Sequence, residues 1–377
     1  YELQQLMSVN GRLFFTFYSF IYGTELYTSD GTTAGTVKVA FINSFSGVLP
    51  THLTSSNGLL YFAADDGTGG RLWVSDGTVE GTHPVNNSNN INLPVDYTGF
   101  RDSFAIINNV LYFQGFTPDA GNELCKYDPS DANPNVTVVK DIVAGPNSSY
   151  PSFMTNVNGT LFFTIGPAGA DAQLWKSNGT EAGTVLVKDI SPGDQNIYYG
   201  LTSAYGILMF AYGNSPQGIE LWKSDGTAPG TKIVKDINPG IFSSVPQYIA
   251  FNNGLFLYGA DNGVNGYELW KSNGTAAGTT LVKDINQSST ASSYPFGFTT
   301  TPNNKIVFGA QDKNNGNSLW STDGPTAVPK LVKNINAYLF TKFQSNIYFI
   351  SNDNTGIHLW KTNGTAAGTT QISIPGF

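Results

Sequence analysis

One phrase recurs throughout this chain. "QLWKSNGTEAGTVLVKDISPG" (173–193), "ELWKSDGTAPGTKIVKDINPG" (220–240) and "ELWKSNGTAAGTTLVKDINQS" (268–288) are near copies. Alignment on the motif leucine gives Leu26, Leu72, Leu124, Leu174, Leu221, Leu269, Leu319 and Leu359, eight copies about 47 residues apart that account for the whole chain. A repeat of this length constrains the fold more than any other property, because each copy must bury its faces against its neighbours.

Each copy holds four short segments rich in β-branched and aromatic residues and fenced by Gly, Asn, Asp or Pro. These read as strands, and no window carries a helical period. The second segment of each copy ("GLLYFAA", "GTLFFTI", "GLFLYGA") is continuously apolar, as a strand covered on both faces must be. Four strands per copy match one propeller blade, so the expected fold is all-β: an eight-bladed β-propeller of four antiparallel strands per blade. A parallel β-helix is the alternative, but its coils are shorter. The expected domain is 1–377, with repeats near 1–45, 46–92, 93–145, 146–193, 194–240, 241–288, 289–336 and 337–377. The first blade already has its first strand in "ELQQLMSV" and the last its fourth in "TTQISI", so no strand exchange between the ends is expected.

Only 12% of the 377 residues are charged, the net charge is −8, and the only arginines are Arg12, Arg71 and Arg101. A nucleic-acid partner is excluded by the lack of a basic stripe, and membrane insertion by the lack of a long apolar run. The low charge and abundant Asn, Ser, Thr and Gly suggest an extracellular or cell-surface setting. The opening at Tyr1, with no initiator Met or signal peptide, reads as a mature product or part of a larger chain or assembly.

The combination of E-L-W, D-G-T, a second G-T and V-K-D-I resembles the bacterial ELWxxDGT repeat family of large secreted or surface proteins. The resemblance spans essentially the full chain and implies a propeller, but it supplies no ligand or catalytic residue. Departures are local. Tyr27 and Cys125 replace the tryptophan, Asn178, Asn273 and Asn363 replace the aspartate, and the second copy lacks V-K-D-I ("THPVNNS").

A residue present in nearly every copy builds the blade, since a single site does not need eight versions. Trp73, Trp175, Trp222, Trp270, Trp320 and Trp360 are therefore read as interblade packing rather than as stacking platforms for sugars. Cys125, in a tryptophan slot, reads as a buried inert thiol. Asp30, Asp76, Asp225 and Asp323 read as turn acceptors, a task that Asn also performs. The V-K-D-I lysines read as edge charges, with Glu123, Glu220 and Glu268 as candidate partners.

No catalytic signature is found: His52, His83 and His358 lack metal spacing, and there is no nucleophile elbow or phosphate loop. No cofactor is required by the pattern. Calcium is the one suggested, by the oxygen-rich turns "ADNGVNG" (260–266) and "AQDKNNG" (310–316), through Asp261, Asn265, Asp312 and Asn314. Residues that differ between copies are the candidates for binding: Tyr150, Tyr198, Tyr199 and Tyr294 in Ser-rich connections, and Arg101 in the longest one. The resulting expectation is a non-enzymatic extracellular recognition or adhesion module that binds a glycan or protein on its loop face. A structural unit of a surface layer is the alternative, and an enzyme with a central-channel site comes third.

Overall fold

The computed structural model describes residues 2–19, 23–43, 50–94, 104–166, 173–190, 201–214, 217–287, 291–353 and 356–372. Among these residues there is no helix, and eight four-stranded antiparallel sheets form the blades of an eight-bladed β-propeller. Every sheet uses four consecutive strands. Blade 1 runs from Glu2–Val9 to Val37–Asn43 and blade 8 from Ala337–Phe343 to Thr370–Ile372, so neither takes a strand from the other end of the chain. Two compact units, Tyr1–Leu186 and Val187–Phe377, make up the chain, and the division falls within the outer strand of blade 4.

The second strand of each blade is its most buried element. Leu59–Asp65 in blade 2 and Leu255–Asp261 in blade 6 each bury five consecutive residues, which places apolar side chains on both faces. The faces meet across blade boundaries. Phe256 and Tyr258 of blade 6 join Met209 and Leu221 of blade 5, and Phe308 and Trp320 of blade 7 join Leu257 and Leu269 of blade 6.

The tryptophans are part of this packing. Trp73, Trp222, Trp270 and Trp320 are buried, Trp175 and Trp360 half-buried, and Trp73 stacks on Phe62 at 6.0 Å. Five of them also carry a lysine from the preceding blade. Lys140, Lys188, Lys235, Lys283 and Lys333 lie over Trp175, Trp222, Trp270, Trp320 and Trp360 at 5.2–6.0 Å from the ring centroid. The first four also donate to a carbonyl of that next blade, Thr184, Thr231, Thr279 or Pro329, at 2.7–3.2 Å. The V-K-D-I lysine is thus a bracket between blades. Its partner is not the third-strand glutamate suggested by the sequence.

The rest of the phrase is one self-bonded loop. In "SDGTAPGT", Asp225 Oδ1 accepts from the N–H and hydroxyl of Thr227, and Thr227 Oγ1 accepts from Gly230 N. Ser224 Oγ accepts from Gly226 N and meets Thr231 Oγ1 at 2.7 Å. Asn178, Asn273 and Asn363 make the same pair of acceptor contacts, which explains their exchange with Asp. The second glycine is required because the Asp or Asn side chain lies against it: a Cβ on Gly230 or Gly278 would collide with Asp225 or Asn273. Asp323 departs from the pattern and pairs with Lys305.

Candidate functional site

The glutamate of E-L-W anchors the connections between blades. Glu220, on the third strand of blade 5 (Gly218–Ser224), is fully buried and receives four donors from the connection that follows. Oε2 accepts from Ile237 N and Ser244 Oγ at 2.8 and 2.6 Å, and Oε1 from Ser244 N and Asn238 N at 3.0 and 3.4 Å. Glu123 is held the same way by Ile142, Val143 and Ser149. Burial pushes Glu220 up to about 7 despite the hydrogen bonds from Ser244, Ile237 and Asn238, which act in the opposite direction. Glu268 reaches about 7 for the same first reason, with the Asp284 charge adding to the rise.

The serines belong to a second repeated motif, Ser-Ser-x-Pro, at 148–151, 243–246 and 292–295. The first serine accepts from a third-strand N–H (Asn122, Ile219 or Tyr267), and the second donates to the glutamate. Position x has a left-handed backbone in all three: Tyr150 (φ 49°), Val245 (φ 47°) and Tyr294 (φ 45°). Tyr150 and Tyr294 are exposed, and Tyr294 stacks on Tyr267 at 5.5 Å. Both therefore occupy a repeated slot, which reading them as nonrepetitive loop residues missed. The spacing of "SSYP", "SSVP" and "SSYP" was visible in the sequence. Tyr198, Tyr199 and Arg101 lie outside the described residues.

The acidic turns are closed on themselves. Asp261 Oδ1 accepts from Gly263 N, and Asp312 Oδ1 accepts from Asn314 N and Asn315 N. Asn265 is engaged at both ends of its amide: its Nδ2 donates to Asp284 Oδ2 at 3.1 Å, and its Oδ1 accepts from Asn262 Nδ2 at 3.1 Å. Among the described residues no group of three or more His, Cys, Asp or Glu side chains is gathered as a metal cluster.

Another set of positions was not legible beforehand. The first strands of blades 2, 4, 6 and 8 slip register at a bulge whose central residue has a left-handed backbone: His52 (φ 60°), Phe153 (φ 54°), Tyr248 (φ 55°) and Leu339 (φ 54°). Blade 7 has Gly297 (φ 69°) there. A non-glycine residue in this conformation costs about 1–3 kcal/mol, and such strain gathers where side chains are displayed. In the second unit Tyr248 and Leu339 are exposed.

The reactive side chains are scattered. His52 and His83 lie on the first and outer strands of blade 2, and His358 lies on the third strand of blade 8 beside Gln371. Cys125 is fully buried, and burial pushes its thiol well above the ordinary range.

No family model matches the chain, and no curated protein matches it in sequence. Solved structures share its fold at low identity. A puromycin hydrolase aligns with TM-score 0.54 and 11% identity over 95% of this chain and 58% of its own. A puromycin-hydrolyzing peptidase of Mycobacterium tuberculosis aligns with TM-score 0.54 and 10% identity over 99% of this chain and 52% of its own. A prolyl endopeptidase aligns with TM-score 0.56 and 12% identity over 93% of this chain and 54% of its own. The chain thus spans little more than half the length of these proteins, and the likeness establishes the propeller. All three are hydrolytic enzymes, and that finding overturns the expectation of a non-enzymatic recognition or adhesion module, together with its surface-layer alternative.

Proposed function

We propose that this propeller is the substrate-handling part of a hydrolase acting on peptides or peptide-like amides. The observation that carries this reading is the fold shared with puromycin hydrolase and prolyl endopeptidase over at least 93% of this chain. Within it, the strained first-strand positions take the role of substrate contacts. Their backbone recurs in blades 2, 4, 6 and 8, whereas the side chain changes from His52 to Phe153, Tyr248 and Leu339, as selective contact requires. The hydrolytic groups come from elsewhere, because among the described residues the histidines are dispersed and the one thiol is fully buried. The repeat phrase further suggests membership of the ELWxxDGT proteins, and the low-charge, Asn- and Ser-rich surface suits a secreted enzyme.

The test is calorimetric titration of the chain with puromycin and with a set of proline-containing peptide amides, alongside an amidase assay. Saturable binding without turnover, weakened in Tyr248→Ser, is the expected result. Absence of binding to every amide by the folded chain would overturn the reading.

A further inference from the structure

Several of the most exposed apolar residues of blades 5 and 6 stand on adjoining segments at one end of the sheets. The connection between the two blades (236–245) carries Ile241 and Phe242, 76% and 65% exposed. The turn 261–266 of blade 6 carries Val264 at 68%, and the connection after that blade carries Tyr294 at 55%. These three segments are stitched together. Asp261 N donates to Ser244 O at 2.9 Å, a Cβ on Gly263 would press on the Asn238 side chain, and Asn265 Nδ2 donates to Asp284 Oδ2. Tyr294 stacks on Tyr267, the residue that follows the turn. Single exposed apolar residues are ordinary, whereas several on adjoining segments mark a contact surface.

The charge on these segments has one sign. They contain Asp236, Asp261 and Asp284 and no Lys or Arg. Among the described residues none of the three acids has an ion pair. The neighbouring lysines work at the opposite end of the sheets: Lys223 and Lys235 donate to Gly274 O and Thr279 O, in the loop between the third and fourth strands of blade 6. The next turn, in blade 7, adds Asp312 and Lys313, whose charges offset each other.

We propose that this end of blades 5 and 6 recruits cationic, apolar peptides, in which bulky apolar residues stand beside Lys or Arg. The proposal rests on the peptide-amide reading above and names its substrate class. Apolar side chains of the peptide cover Ile241, Phe242 and Val264, and its cations meet the three carboxylates and the exposed face of Tyr294. Gly263 N holds Asp261 Oδ1 at 2.7 Å and so orients that carboxylate before the peptide arrives. An acidic peptide of equal apolarity is repelled, which makes the surface selective and not merely adhesive.

The test is calorimetric titration of the full chain with three blocked hexapeptide amides, built from lysine and phenylalanine, glutamate and phenylalanine, and lysine and serine. The first should bind about tenfold more tightly than either of the others at low salt, and its advantage over the glutamate peptide should close at about 0.5 M salt. The double variant Ile241→Ser, Phe242→Ser, altered only at exposed positions, should bring the lysine–phenylalanine peptide down to the level of the lysine–serine one. Asp236→Asn combined with Asp261→Asn should remove most of its salt dependence. If the lysine–phenylalanine peptide binds no better than the glutamate one, or not at all, the proposal is overturned. The amide-hydrolase reading falls with it only if puromycin and the proline-containing amides also fail to bind. A preference that survives the Ile241→Ser, Phe242→Ser variant, or is lost in Tyr248→Ser instead, places the contact elsewhere and overturns the proposal as well.

Discussion

The junction between blades 5 and 6 and the junction between blades 2 and 3 close the same kind of gap in different ways. At the first, Lys235 crosses from one blade to the next, lies 5.9 Å over Trp270 and donates to Thr279 O. At the second, both partners are missing: the second copy has "THPVNNS" in place of V-K-D-I, and Cys125 replaces the tryptophan. The inserted chain after Val85 fills the gap. Leu93 N donates to Gly70 O, Asn92 bridges to Phe116, and Asn89 Nδ2 reaches Val136 O on the outer strand of blade 3. Ile91 and Leu93 then pack in one cluster with Phe113 and Cys125, and a Cβ on Gly115 would press on both Ile91 and Cys125. The small thiol therefore makes room for the insertion. Lysine and tryptophan are kept together or lost together here. Trp73 is the exception, because Ala40 holds the register that Lys235 holds in blade 5.

This contrast can be broken from either side. The largest effect is expected at Trp222: replacement by Ala should cost about 3–5 kcal/mol in denaturant unfolding, as for a large aromatic lost from a core. Trp222→Phe should cost about 1 kcal/mol, since the indole N–H has no hydrogen-bond partner to lose and most of the packing remains. At the other junction Ile91→Ala should cost about 2–5 kcal/mol by opening a cavity beside Cys125. Cys125→Trp, which restores the phrase, should destabilise by about 1–3 kcal/mol through overpacking. If Cys125→Trp instead stabilises the chain, the insertion does not occupy the tryptophan slot.

A smaller effect separates the anchored connections by pH. The folded-state value of Glu220 lies near 7, above the ordinary 4.5, so between these values the native state holds more protons than the unfolded one. Stability should therefore fall as pH rises from about 4.5 to about 7 and level off above. Glu220→Gln should flatten part of that slope, and an unchanged slope would remove the carboxyl from the account. Smaller still is the turn: Asp225→Asn should stay within about 0.5 kcal/mol, because Asn178 already makes the same contacts, whereas Asp225→Ala should lose about 1–2 kcal/mol.

The architecture was legible in the sequence because it is written eight times. Strand grammar, the buried second strand and the tolerance of Asn in the D-G-T turn all followed from comparing copies. What was missed lay between copies. The missing V-K-D-I of the second copy and Cys125 of the third are both plain in the sequence, but nothing in either copy says that the lysine of one reaches the tryptophan of the next. The left-handed positions at His52, Phe153, Tyr248 and Leu339 share a backbone and not a residue type, so residue identity could not reveal them. Function was least legible, because among the described residues the repeated glutamates, lysines, serines and turn Asp or Asn side chains hold blades or turns together.

The most direct test of the blade-to-blade pairing is a double-mutant cycle at Lys235 and Trp270, with Lys235→Met and Trp270→Phe measured singly and together by urea unfolding. The pairing predicts a coupling of about 0.5–2 kcal/mol between the two residues, the range of a partly desolvated cation–π contact. Additive single effects, with no coupling beyond error, would contradict it.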